Sequence, residues 1–462
     1  MTLFSLSSKS MSFIIITPFL LSSFSAEEIA FWYLLGIFIN MQALADFGFY
    51  NTFVRFVGLA LSGGCSSIED LRNIESKNRV ISSPNVSLAG RIIGTMRRTY
   101  KVLTALLLVV MIVLSPLLVQ NINELDNSTE GWLCWLIVIF FSVFNFLGRP
   151  YSNFLLSQNK VALVRRWEGV FNVFGIISNI AVVMFTKSLI LLVLTNQVWI
   201  AANLIVNRYF ADHADGIYKY SEFKDYAYDK EAFQYIWPLA WRAGLSSFTT
   251  QGIVSASGLI YAQVSTAASA GSYLFAEKLY TAMRAFSTAP FYSKIPLLVT
   301  LRGQERIEEW EKVAQRGMFY ASLIMAGGII VIGAFGEGLF SLIKSNVDFP
   351  NPLLWLLLGW SFFLHRYGAM HTQLYTTINK VNSHISDLIA GIIMVTVWIL
   401  FMNQLDVYVF PVGMLAGYLG FYVWFAGYFS YKVMDSSFLQ FELKANFIPF
   451  LMLLLYTLWI LL

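Results

Sequence analysis

The stretch MFYASLIMAGGIIVIGAFGEGLF, Met318 to Phe340, runs for 23 residues with one charged side chain, Glu337. A helix rising 1.5 Å per residue needs about 20 mostly apolar residues to cross about 30 Å of hydrocarbon, so this stretch reads as a membrane span. The whole chain shares its character. Hydrophobic residues make up 57% and charged residues 13% of the 462, with a mean hydropathy of +0.63. Soluble domains average roughly 45–50% and about 25%.

Thirteen such segments are predicted. They cover Leu3 to Phe24, Ile29 to Tyr50, Val102 to Val119, Trp132 to Leu147, Val170 to Phe185, Leu189 to Val206 and Leu239 to Tyr261. The rest are Gly271 to Phe291, Met318 to Phe340, Leu353 to Thr376, Leu388 to Met402, Val407 to Tyr431 and Ala445 to Leu462. The first contains Lys9, and it lacks the basic lead and small-residue cleavage site of a signal peptide. With the N-terminus placed in the cytoplasm, inside segments hold 26 of the 31 Lys and Arg, whereas outside segments hold only Lys187 and Lys344. Lys278, Arg284 and Arg366 lie within spans. This asymmetry is the positive-inside pattern.

The net charge of +4 therefore belongs to cytoplasmic loops, and no basic face for nucleic acid is expected. Cys65 and Cys134 are too few and too separated for a disulfide or metal site. The sequons at Asn85 and Asn127 read as chance. No phosphate-binding glycine loop and no metal or cofactor motif is present, so ATP hydrolysis by this chain is not expected. Exported loops reach only about a dozen residues (Gln120 to Gly131, Lys344 to Asn351), too short to scaffold an outside active site.

Loop lengths repeat. A short exported turn followed by a long basic cytoplasmic loop occurs at Ser25 to Lys101 and again at Ala262 to Gly317. The expected organisation is all-α: a six-helix lobe over 1–208, a cytoplasmic linker over 209–237, a second six-helix lobe over 238–431, and an extra hydrophobic helix over 432–462. The lobes would be related by a pseudo-two-fold along the membrane normal, with the site between them.

Charged groups inside spans cost roughly 2.5–3.5 kcal/mol each on insertion scales, so they usually face a cavity or one another. Helix 8 places Tyr273, Glu277, Tyr280, Thr281, Arg284 and Thr288 on one face, with Lys278 beside the stripe. Helix 10 adds His365, Arg366, Thr372 and Gln373; helix 4 ends with Ser142, Asn145 and Arg149; helix 7 carries Gln251; helix 2 carries Gln42 and Asp46 one turn apart. Arg149, Lys278, Arg284 and Arg366 are expected to line a cationic cavity, with Asp46, Arg149, Arg284 and Arg366 at or inward of the midplane. Gln42, Asn145, Gln251, Tyr273, Tyr280, His365 and Gln373 are its polar lining. Asp46 and Glu277 are the candidates for ion coupling. A positive cavity fits phosphate, which the planar Arg fork grips with paired hydrogen bonds.

The segments Pro18-Phe19-Leu20-Leu21, Glu27-Glu28-Ile29-Ala30-Phe31-Trp32-Tyr33 and Asp46-Phe47-Gly48-Phe49, with Arg55, Gly63-Gly64 and Ser269-Ala270-Gly271-Ser272-Tyr273, resemble the bacterial O-antigen and polysaccharide flippases of the multidrug/oligosaccharidyl-lipid/polysaccharide exporter superfamily. The resemblance covers helices 1 to 12 in layout; helix 13 is extra. It implies a two-lobe fold in the bacterial inner membrane. The implied cargo is undecaprenyl-pyrophosphate-linked oligosaccharide moved to the periplasmic leaflet, with the lipid bilayer and polysaccharide polymerase and assembly proteins as partners. Two other readings are a drug antiporter, which needs intramembrane carboxylates where helix 1 has none, and an O-antigen polymerase or ligase, which needs a catalytic carboxylate or an Arg-bearing exported loop where the short exported loops here hold only Lys187 and Lys344.

Overall fold

Hydrocarbon offers no hydrogen-bond partners, so every backbone group in a span must be satisfied within its own segment, and the chain answers this with helices. The computed structural model describes residues 15–63, 83–216, 218–376, 383–432, 434 and 437–462, with no strand among them. Lys9, Gly64, Cys65 and Lys380 lie outside the described residues. Six stretches of described helix are long and apolar enough to cross a membrane, or up to eight if each of two bent pairs is one span. One of the six, Ser383–Tyr431, reverses at Asp406 (φ 49°), and its two arms pack on each other, so it makes two passes. This is a multi-pass membrane protein.

The chain divides into two compact units. The first, Glu27–Gly252, contains α2 (Ala26–Ala45), α3 (Phe49–Leu61), α4 (Val86–Leu114), α5 (Pro116–Asn123), α6 (Ser128–Leu147), α7 (Arg149–Ser157), α8 (Val161–Phe185), α9 (Leu189–His213) and α10 (Lys230–Ser247). Side-chain caps start four of these helices: Asn85, Asn127, Ser188 and Asp229 accept the first free backbone N–H groups of α4, α6, α9 and α10. Two of these caps are the asparagines of the sequons. Pro116 has no N–H to continue α4, and the chain bends by 48° into α5. Val102, Leu106, Val109 and Val113 form a stripe along α4 that is more than half exposed, a face built for lipid.

The stretch 209–237 is docked, not loose. Arg91 of α4 bonds both Asp229 and Glu231, Arg97 donates to the Tyr226 carbonyl (2.6 Å), and Gln158 accepts from the Tyr218 N–H (2.7 Å). Burial opposes the charge of Asp229, but Arg91 and the amides of Ala232 and Glu231 outweigh it and hold the carboxyl below its ordinary range.

The second unit joins α1, described over 15–23, to Ile253–Leu462. It comprises α11 (Ile253–Val264), α12 (Ala267–Tyr292), α13 (Ile295–Gly303), α14 (Ile307–Leu342), α15 (Pro352–Thr376), α16 (Ser383–Leu405), α17 (Val409–Gly417), α18 (Val423–Tyr431), α19 (Phe438–Ala445) and α20 (Phe447–Leu461). A π-helical turn, Tyr418–Tyr422, joins α17 to α18. Asn346, ahead of α15, fastens α1 by donating its N–H to the Leu21 carbonyl (2.8 Å) and its side-chain amide to the Phe24 carbonyl (2.7 Å). Phe441 and Ala445 of α19 enter the core formed by Trp310, Met318 and Leu374. After a 67° bend, α20 packs along α14, and Thr457 accepts a bond from Trp360 (2.9 Å). The last helices are thus integral to this unit.

Candidate functional site

In the first unit, α2 ends where Phe47 (φ 47°) and Gly48 (φ 76°) both turn left-handed. This break aims Asp46 inward. Its Oδ2 accepts the Tyr50 N–H (2.8 Å), which starts α3, and its Oδ1 accepts the Tyr100 hydroxyl (2.5 Å) and lies 3.4 Å from Arg149 Nη1. Asn153 donates to the same tyrosine oxygen (2.9 Å). One turn away, Gln42 donates to Ser142 (2.9 Å). Arg149, whose guanidinium also lies over the Phe146 ring (4.7 Å), therefore has its counter-charge beside it. Asn145 differs from its neighbours: it is buried, with both amide atoms unbonded. Gln251, in the π-helical turn Phe248–Gly252 of the same unit, is exposed.

In the second unit the polar stripe of α12 divides into two kinds of residue. Tyr273 and Tyr280 are committed to packing: the first shares a hydrogen bond with Ser257 (2.7 Å), and the second donates to the Trp355 carbonyl (2.6 Å) with its ring against Trp355 and Phe362. Glu277 is 3% exposed, and its Oε2 has no hydrogen-bond partner. Lys278 is half-buried beside it, off the stripe.

Two turns further along α12, Arg284 lies over the Phe362 ring (5.6 Å). Thr288 donates to the Arg284 carbonyl (2.7 Å) and accepts Nη1 of Arg366 (3.0 Å). Arg366, on α15, is 3% exposed; its Nε and Nη2 are buried with no hydrogen-bond partner, and Tyr292 faces it at 5.1 Å. The two guanidinium groups lie in each other's field. Among the described residues neither makes an ion pair. His365 completes the cluster, stacked on Tyr422 (5.7 Å, 6° between planes) and tilted against Tyr418, with its Nδ1 unbonded. Tyr422 reaches α15 only because residue 368 is glycine, where a Cβ would sit 2.3 Å from the ring. Gln373, two turns on, is half-buried.

A second buried polar group in this unit escapes sequence reading. Glu442 of α19 accepts from His371 (3.1 Å), Tyr367 (3.2 Å), Tyr431 and Asn446 (2.7 Å); His371 also bonds Ser430 (3.0 Å), and Asn446 accepts from Ser322 (2.6 Å). The contrast is informative. A network with its bonds made rigidifies a fold, whereas charged donors left unmade in a buried site are costly and wait for a partner. The Glu442 group belongs to the first kind and Arg366 to the second. Thr288 was already on the stripe read from spacing; Tyr292, Tyr418 and Tyr422, which also frame the Arg284–Arg366 pair, were missed, although Tyr418 and Tyr422 are spaced four apart like one helix face.

Solved structures give the architecture its place. The chain aligns with the MATE multidrug transporter DinF-BH (TM-score 0.63, 13% identity, 94% of this chain and 95% of that one). It also aligns with the lipid II flippase MurJ (TM-score 0.62, 10% identity, 99% and 98%). The fold is that of the MOP-superfamily transporters. A third MOP structure, an inward-facing multidrug resistance MATE transporter, matches at a TM-score of 0.59 with 12% identity over 94% of both chains. No protein-family model and no curated protein sequence matches the chain. At these identities the likeness extends to the fold alone.

Proposed function

We propose that this chain is a flippase of the bacterial inner membrane that carries an undecaprenyl-pyrophosphate-linked oligosaccharide, an O-antigen or related unit, from the cytoplasmic to the periplasmic leaflet by alternating access. The observation that carries the reading is the Arg284–Arg366 pair. Arginine stays charged at any accessible pH, so two guanidinium groups that make no ion pair among the described residues, one of them (Arg366) buried with two unbonded nitrogens, favour an anion that arrives with the cargo. Pyrophosphate matches the donor fork, and the surrounding tyrosines offer faces and hydroxyls to the first sugar. The test is surface O-polysaccharide measured together with membrane protein level in Arg284 and Arg366 variants.

Transport, not catalysis, is the activity this site supports, with energy drawn from an ion gradient or from removal of product. Of the two carboxylates expected to couple an ion, Asp46 has both oxygens engaged, while Glu277 keeps one buried oxygen free; coupling is assigned to Glu277. Flipping by Glu277→Gln is expected to lose its response to a pH gradient across the membrane, and an unaltered response would remove Glu277 from the mechanism. A drug antiporter shares the fold, but a site with two unpaired guanidinium groups repels cationic drugs.

The proposed orientation places the N-terminus in the cytoplasm. A reporter fused within Gln120 to Gly131 should read periplasmic and one within Asp212 to Tyr235 cytoplasmic. The opposite pair of results overturns the orientation.

A further inference from the structure

The N-terminal turns of α14 and the end of α19 flank an open cavity of about 610 Å³ lined by Lys312, Gln315, Arg316, Phe319, Tyr320 and Lys444. Three of the six carry positive charge and none carries negative charge. Lys312 is partly neutralised by Glu308 (2.5 Å), which lies outside the lining; Arg316 and Lys444 make no ion pair among the described residues. Lys312, Arg316, Tyr320 and Ile324 follow one face of α14 at four-residue spacing, so this face passes from cations to an aromatic ring to an aliphatic chain. Tyr320 is 56% and Ile324 43% exposed. The neighbouring wall makes the same passage, from Lys444 to exposed Ile448 four residues on. The Ser322–Asn446 hydrogen bond (2.6 Å) locks the two walls in register, so both change from charged to apolar at one level.

Such a passage matches the boundary between headgroups and acyl chains, where aromatic rings anchor and long cations reach back toward phosphate. We propose that this cavity binds the phosphodiester headgroup of an anionic phospholipid, with an acyl chain laid over Tyr320 and Ile324. The site is separate from the Arg284–Arg366 pair, and its test does not depend on flipping. Its ligand chemistry is a phosphate anion, and the rings below the cations favour a source that brings its own hydrocarbon.

The full chain, purified in neutral detergent, is titrated with phosphatidylglycerol, with phosphatidylcholine and with inorganic phosphate, read by thermal melting and by mass spectrometry of the intact complex. Phosphatidylglycerol is expected to bind and raise the melting temperature, while phosphatidylcholine leaves it unchanged. The triple variant Lys312→Gln, Arg316→Gln, Lys444→Gln should melt normally without lipid and weaken phosphatidylglycerol binding on the order of a hundred-fold at low salt, less at high salt. A control with equal charge loss elsewhere, Arg98→Gln, Lys101→Gln, Lys230→Gln, should bind as the unaltered protein does. Equal weakening in both triples, or none in the first, overturns the site. Full protection by millimolar inorganic phosphate overturns the lipid assignment.

Discussion

Arg366→Ala is expected to abolish surface O-polysaccharide while leaving the amount of protein in the membrane unchanged or raised. The two halves of this outcome have separate causes. Truncating one side of a buried charge pair typically costs about 2–5 kcal/mol, roughly 30-fold to several-thousand-fold in affinity for a pyrophosphate held by that arginine. The same arginine donates to Thr288 and lies over Tyr292, but two of its nitrogens are buried with no hydrogen-bond partner, so its removal also relieves a desolvation cost. Arg366→Lys keeps the charge but not the fork, and should retain part of the function. Arg284 should behave alike, and the double alanine variant should be silent at normal expression. If Arg366→Ala loses protein and polysaccharide together, the residue holds the fold rather than the cargo. If polysaccharide is normal at normal expression, the anion site is wrong.

Gly48→Ala should remove most of the folded protein from the membrane. At φ 76° and ψ 1° an L side chain costs roughly 1–2 kcal/mol. Space compounds this cost. A Cβ at Gly48 would lie 2.5 Å from the Ala240 carbonyl oxygen, 2.7 Å from the Ala243 Cβ and 2.9 Å from the Gly244 nitrogen, on the face of α10, where the backbone cannot swing away. Overpacking of this kind adds about 1–3 kcal/mol, against a typical total stability of about 5–15. Gly36→Ala is the control: it lies within α2 with nothing within 4 Å of the added methyl, and helix propensity should make it neutral or slightly stabilising. Similar melting temperatures for the two variants would show that the break at Phe47 and Gly48 tolerates a side chain.

Apolar run length made the helices legible, because a span has to be long and free of charge whatever packs against it. What it could not reveal was where helices break without proline. The turn at Asp46 to Gly48 falls inside a segment read as continuous, and so do the π-helical turns at Phe248–Gly252 and Tyr418–Tyr422. The α12 stripe was legible from spacing, yet spacing cannot say that the hydroxyls of Tyr273 and Tyr280 are already committed while Glu277 is not. Pairings between distant positions were the least accessible: Asp46 with Arg149, and His371 with Glu442, join residues whose neighbours in sequence give no hint of the partner. Glu442 sits beside a capping box at Ser437 and Gln440, a helix-start signal that could have drawn attention to α19.

The fastening of α1 by Asn346 has a consequence for how the protein is made. Phe24 and Asn346 are separated by 322 residues, so at about 5–20 residues per second α1 leaves the ribosome roughly 15–65 s before its partner is synthesised. Throughout that interval all of the first unit emerges and α1 stays in the bilayer without its seat. A chain cut short before Asn346 would keep a complete first unit and an orphaned helix ahead of it.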